Sequence, residues 1–193
     1  MRIDLNLIVP RIKNILMEPN QEWDAIKREE LTVKEVYTRY LLAAAAIPAL
    51  AHFVGQIISM YSTQLPIGEI PIGISRAVGR VALYYALSLG SVYVTAFLIN
   101  QLTPTFRSTT NLANAVKLAG FAWIAVWVAG ILLVVPMLRQ LLVLALFYAI
   151  YVLYLGLPKL MDTPHDKAIP FTVAIGAAMF LLFIITGAFC GSL

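Results

Sequence analysis

The sequence predicts an all-α polytopic membrane protein with five transmembrane helices and short cytoplasmic amphipathic helices at the amino terminus. Composition is the first reason: of 193 residues, 61% are hydrophobic and only 12% charged, against roughly a quarter charged in ordinary soluble domains. Mean hydropathy is +0.84. The second reason is five runs that lack Lys, Arg, Asp and Glu, each close to the ~20 apolar residues that cross a hydrocarbon layer at ~1.5 Å per residue. The third is an asymmetry of basic residues between the segments that separate those runs.

Residues 1–36 form the predicted cytoplasmic region. Leu5, Ile8, Val9, Ile12, Ile15 and Leu16 recur at helical spacing, with Asn6, Arg11, Lys13 and Asn14 elsewhere around the helix. Such a helix suits an anionic inner leaflet or the protein's own spans ahead of a dedicated partner groove. Pro19 and Asn20 interrupt it, and Trp23 with Ile26 gives a second short helix an apolar edge. Thr32 and Glu35 have capping-box spacing, which starts the first membrane helix near Val33. Tyr37 and Tyr40 then stand where an aromatic belt is expected.

The five-span domain is assigned to residues 37–193, with spans at about 40–61, 81–99, 118–138, 141–158 and 168–190. Spans three and four are separated only by Arg139 and Gln140. As one helix they would reach about 60 Å, twice the hydrocarbon thickness. The chain therefore turns, and Pro136 followed by Arg139 is the expected corner. The segment STQLPIGEIPIGISRAVGR between spans one and two repeats PIG and carries Arg76 and Arg80 four apart, a pattern for a short interfacial helix. No secretory apolar core precedes Tyr40, so the first span is expected to act as an uncleaved insertion signal.

Orientation follows from charge. Arg2, Arg11, Lys13, Lys27, Arg28, Lys34 and Arg39 precede span one, Arg107 and Lys117 follow span two, and Lys159 and Lys167 follow span four. The opposite side holds Arg76, Arg80 and Arg139. The positive-inside rule then puts the amino terminus in the cytoplasm and the carboxyl terminus outside. Topology thus accounts for the net charge of +4 without nucleic acid.

Chemistry is sparse. The single cysteine, Cys190, excludes an internal disulfide framework and a Cys-rich metal site. No phosphate-binding Gly-rich loop, HExxH, nucleophile elbow or CxxC occurs, so the expectation is a non-enzyme with no cofactor. Within the spans, His52 and Gln56 lie one turn apart. A proton or metal relay is one reading of them; a neutral His bonded between helices is the preferred one, because no acid or second His stands in any span. Ser88, Ser91 and Thr95 suit interhelical bonding, Trp123 and Trp127 share a face, and Tyr148, Tyr151 and Tyr154 gather on one side of span four.

Between spans four and five, YVLYLGLPKLMDTPHDKAIP places Leu157 and Pro158 at a helix end, with Lys159 and Lys167 holding the turn on the cytoplasmic side. Thr163 suits a cap, Pro164 a first helical position and Asp166 the first turn. His165, Asp162 and Asp166 are the only clustered acid–base candidates, too few from one segment for a specific metal site.

The order of RIKNILMEPNQEWDAIKREE, five spans, AGFAWIAVWVAGILLVVP and YVLYLGLPKLMDTPHDKAIPFTVAI resembles the Yip domain family of Ypt/Rab-interacting membrane proteins, in particular its short bacterial branch. The most specific residues are Pro19, Trp23 and Ile26, then Tyr154, Leu155, Gly156, Leu157 and Pro158 with Pro164 and Lys167. The resemblance implies a five-span bundle with a cytoplasmic amino terminus and a short external tail. The lack of catalytic motifs and the charge concentrated on the cytoplasmic side favour binding of a membrane or cytoplasmic protein partner over catalysis, with membrane lipids as surroundings and a homo-oligomer as a further possibility.

The expected recognition surface comprises Trp23, Ile26, Tyr154, Gly156, Pro158, Lys159, Asp162, Pro164, Asp166 and Lys167. A small-solute or ion transporter using His52, Gln56 and the span-four tyrosines is the second expectation. A membrane-embedded lipid- or metal-dependent enzyme is the third.

Overall fold

A computed structural model describes residues 5–62 and 74–190. Among the described residues there is no strand. The helices are α1 (Leu5–Met17), α2 (Pro19–Arg28), α3 (Val33–Val36), α4 (Leu42–Ser62), α5 (Ile74–Leu102), α6 (Leu112–Ala129), α7 (Leu142–Leu160) and α8 (His165–Cys190). A π turn, Tyr37–Leu41, joins α3 to α4, and two 3₁₀ segments, Gly130–Val134 and Pro136–Leu141, join α6 to α7.

Among the described residues, five helical stretches are long and apolar enough to cross a membrane: Val33–Ile58, Ser75–Leu102, Leu112–Val134, Met137–Leu160 and His165–Phe189. The first begins where the capping box sets it. The Glu35 amide donates to Thr32 Oγ1 at 3.3 Å and the Thr32 amide donates to Glu35 Oε2 at 3.0 Å. Arg76 and Arg80 belong to the first turns of α5 rather than to a separate helix. Both PIG repeats fall within 63–73, outside the described residues.

The corner between spans three and four centres on Val135, which is extended at φ −109° and ψ 110°. Proline after it accounts for that, because its ring disfavours helical geometry in the preceding residue. Regular α-helix already stops at Ala129, so the turn begins earlier than its proline. At its other end α7 continues past Pro158 to Leu160.

Helix α6 is the axis of the bundle, buried from Ala115 through Trp127. Helices α4, α5 and α7 contact it, and α8 packs on α5 and α7. Close approach fixes the half of the bundle near the α6–α7 corner. A Cβ on Gly55 would strike the Leu133 carbonyl oxygen, and one on Gly130 would strike the Pro48 ring.

The amino-terminal segment is part of this packing. Glu18, at φ −135° and ψ 58°, breaks the helix, and Pro19 restarts it at a position where a missing N–H costs nothing. Helices α1 and α2 fold back on each other, α2 lies along α7, and α1 also touches α6. Ile8, Ile15, Trp23 and Ile26 are buried in one core with α6 and α7. The apolar stripe of α1 therefore meets the protein's own spans.

Candidate functional site

Trp23 fastens this hairpin. Its side chain is fully buried, its Nε1 donates to the Val152 carbonyl at 3.0 Å, and its ring meets Phe121 edge to face at 6.3 Å between centroids. An α-helical carbonyl usually has its partner in its own helix, so the indole bond adds a third-party tie to α7. Gly156 makes room for the ring: a Cβ there would lie 2.7 Å from Trp23 Cε2 and would overlap the Leu118 side chain. Ile26 is fully buried as well. Trp23, Ile26 and Gly156 thus form the joint between α2, α6 and α7.

Two cations are fixed around this joint. Arg11 on α1 pairs with Glu22 and Glu29, and its guanidinium stands 5.8 Å from the Tyr40 ring centroid and 5.9 Å from that of Phe121. Burial alone would favour the neutral form; the carboxylates of Glu29 and Glu22 outweigh it and raise the pKa above the ordinary arginine value. Lys117, one turn into α6, is buried with Nζ donating to the carbonyls of Glu29 at 2.5 Å and Ile26 at 3.4 Å, and to Asn114 Oδ1 at 3.3 Å. These carbonyls end α2, where a cation also meets the negative pole of the helix.

Sequence reasoning read Lys117 only as a topology charge and Arg11 as that and as a residue facing an anionic membrane surface, and it missed Glu22 and Glu29. A signal existed: Glu22, Ile26 and Glu29 share a face of α2 beside Trp23, so carboxylates border its apolar edge.

Around the joint lies an exposed rim. Lys159 donates to Asp24 Oδ2 at 2.7 Å and to the Asn20 carbonyl at 2.5 Å. Lys27 pairs with Asp162 at 3.0 Å, and Asp162 also accepts from Thr109 Oγ1 at 3.2 Å. The Thr109 amide donates to the Met161 carbonyl at 2.7 Å, the Ser108 and Thr163 hydroxyls are 2.9 Å apart, and Arg107 approaches Asp166 at 3.9 Å. Arg107 and Asp162 adopt positive φ, 53° and 49°, a conformation costly for residues other than Gly and Asn or Asp.

The rim therefore joins α2, loop 103–111 and loop 161–164. Lys159, Asp162 and Asp166 act in it directly. Pro164 and Lys167 shape the start of α8, where the Lys167 amide donates to the Pro164 carbonyl at 2.9 Å. Tyr154 and Pro158 are half-buried on α7. Thr163 is buried against Ser108 instead of standing at the surface. His165 is exposed, and among the described residues no three His, Cys, Asp or Glu side chains gather for a metal.

Deeper in the bundle, His52 is buried and stacks on Tyr84 at 5.5 Å and 16° between planes. Tyr84, Ser88, Ser91, Trp123, Trp127 and Thr186 are among the residues lining a cavity of about 20 Å³, room for one water. Trp123 Nε1 donates to Thr95 Oγ1 at 3.1 Å, and the Ser91 and Thr186 hydroxyls are 3.5 Å apart. Of the span-four tyrosines, Tyr148 leaves this seam and donates to the Leu16 carbonyl at 2.6 Å.

Fold and joint together define a five-span helical membrane protein with an amino-terminal hairpin fastened to its third and fourth spans. A family model described as the Yip1 domain matches residues 13–186, a stretch containing the joint, the rim, the first four spans and the fifth to within three residues of its end. The chain belongs to the Yip1 domain family.

It is similar to the inner membrane protein YohC of Escherichia coli (strain K12), 26% identical over 173 residues that cover 84% of this chain and 86% of that one. The protein of the same name from Escherichia coli O6:H1 matches to the same extent. No solved structure matches.

Proposed function

We propose that this Yip1-family protein is a non-enzymatic scaffold of the bacterial inner membrane that binds a protein partner through the rim. The amino terminus and rim face the cytoplasm, and the carboxyl terminus faces outward. One observation carries this reading: three segments far apart in sequence are tied by Lys159–Asp24, Lys27–Asp162 and Ser108–Thr163 into a single polar platform. A loop that only reversed the chain would need no ties to α2. The basic residues concentrated on this side support the orientation, and the name of the Escherichia coli relatives supports the inner membrane. In this reading Trp23, Ile26 and Gly156 hold the platform in position, while Asp24, Lys27, Asp162, His165 and Asp166 present it.

Photo-crosslinking residues at Ala25 and His165, both exposed, test it in native membranes. The expected result is a discrete protein adduct from both positions and none from Val94 on the lipid-facing side of α5. Failure of both rim positions to give an adduct contradicts the reading.

The seam from His52 through Tyr84 to Ser88, Ser91 and Thr186 favours a second reading, passage of water or a small ion between spans one, two and five. Gln56 adds a buried amide with no hydrogen-bond partner among the described residues. Flux into proteoliposomes that His52→Ala abolishes would replace the scaffold reading.

A further inference from the structure

A hydroxyl group on a membrane helix is usually satisfied by a carbonyl of its own helix, because a donor left bare in hydrocarbon is costly. Helices α5 and α8 follow this pattern. Ser91 donates to the Leu87 carbonyl at 2.8 Å, Thr95 to that of Ser91 at 2.7 Å, Thr103 to that of Asn100 at 2.8 Å and Thr172 to that of Ala168 at 2.7 Å. Ser88 departs from it. It stands on the face of α5 that carries Tyr84, Ser91 and Thr95, and it is only 5% exposed. Its hydroxyl nevertheless has no hydrogen-bond partner among the described residues.

Ser88 borders the cavity of about 20 Å³ described above, and so do Ser91 and Thr186. The hydroxyls of Ser91 and Thr186 are 3.5 Å apart, beyond the roughly 2.5–3.0 Å of an ordinary O–H···O bond. Ser91 has already given its proton to Leu87, so toward the cavity its oxygen accepts. Three hydroxyls thus surround a space that admits one water, and a buried water typically makes about three hydrogen bonds. The remaining walls, Trp123, Trp127 and Phe183 among them, carry no charge, so a neutral occupant fits and an ion does not. Toward the rim the seam is shut: Trp123 Nε1 donates to Thr95, and Val92, Ala96 and Ile99 are fully buried.

We propose that this cavity is a binding site for one water molecule, which bridges spans two and five. Ser88 and Thr186 donate to its oxygen, and it donates to Ser91 Oγ. The bridge supplies the partner that Ser88 lacks and gives Ser91 and Thr186 bonds of ordinary length to a shared molecule. A path through the bundle would need the seal at Thr95 and Trp123 to open, whereas this site needs no motion. It is independent of any protein partner at the rim and of any flux.

The test is water-edited solid-state NMR of the full-length protein in lipid bilayers, in which magnetisation passes from water protons to nearby side chains. Ser88 and Thr186 should gain signal, while Ala122 and Ala149, fully buried in apolar packing, should not. Ser88→Val removes the hydroxyl and fills its side of the cavity, so the gain at Thr186 should vanish. Ser88→Ala keeps the space and removes one bond of three, which should weaken water binding about fivefold and lower the gain at Thr186. A circular dichroism melt shows that each variant is folded, and Ser88→Ala decides alone if Ser88→Val is not. No gain at Ser88 and Thr186 in the parent means a dry cavity and overturns the proposal. An equal gain at Ala122 and Ala149 means water throughout the bundle and overturns it as well, as does a gain at Thr186 that the folded variants keep in full.

Discussion

The two halves of α6 are held in different ways. Near the rim, Lys117, Leu118 and Phe121 meet α2 and α7 through directional bonds and ring contacts with segments distant in sequence. Toward the corner with α7, backbones approach at Gly55 and Gly130, and the polar contacts are hydroxyl groups of neighbouring spans. Association between spans in lipid comes chiefly from such close packing, since lipid tails are as apolar as the side chains they would leave. The rim half resembles the inside of a soluble domain, with a buried tryptophan and charges compensated by partners. That contrast suits a protein whose far half serves to sit in the bilayer and whose rim half presents a surface.

The largest effect is expected from Trp23→Ala, which empties the joint and removes the bond to Val152. Loss of a buried large aromatic costs about 3–5 kcal/mol, and here it should release the hairpin while leaving the spans assembled. Hydrogen exchange in detergent or nanodiscs checks this: amides of α1 and α2 lose protection, and those of α5 and α8 keep it. The matched change in the other half, Gly55→Ala, forces the Leu133 carbonyl to move and should cost about 1–3 kcal/mol. It should lower the thermal midpoint of the bundle with the hairpin still protected. Hairpin release by both variants would erase the distinction between the halves.

Lys117→Met comes next. It leaves the carbonyls of Ile26 and Glu29 without their ammonium partner, about 1–3 kcal/mol for buried acceptors, and exchange should rise first at the end of α2. The smallest effect belongs to Lys27→Ala. Its pair with Asp162 is more than half exposed on both sides, so thermal stability should shift by less than about 1 kcal/mol. Crosslinking of a partner at the rim should nevertheless fall.

Much of this was legible in the sequence for a physical reason. Charge-free runs of membrane-spanning length, the Thr32–Glu35 box and Pro136 each act through local chemistry, which the chain displays directly. Pro19, Trp23, Ile26 and Gly156 also stood out, as members of a motif. Their meaning did not, because the complementarity of Gly156 to the Trp23 ring arises between residues far apart in the chain. The same holds for Lys117, a topology charge in sequence and a ligand of the α2 carbonyls in the fold. The π turn at Tyr37–Leu41 had no sequence sign; it carries Tyr40 to Phe121, 5.4 Å between centroids. Helical periodicity made α1 amphipathic without saying which apolar surface it would meet.

The account depends most on the hairpin lying along α7 to the depth of Tyr148. A photo-reactive phenylalanine analogue at position 148, activated in native membranes and followed by peptide mapping, measures that contact directly. The account predicts an intramolecular crosslink to the peptide containing Leu16. Crosslinks to lipid alone, with none to residues 12–20, would contradict it.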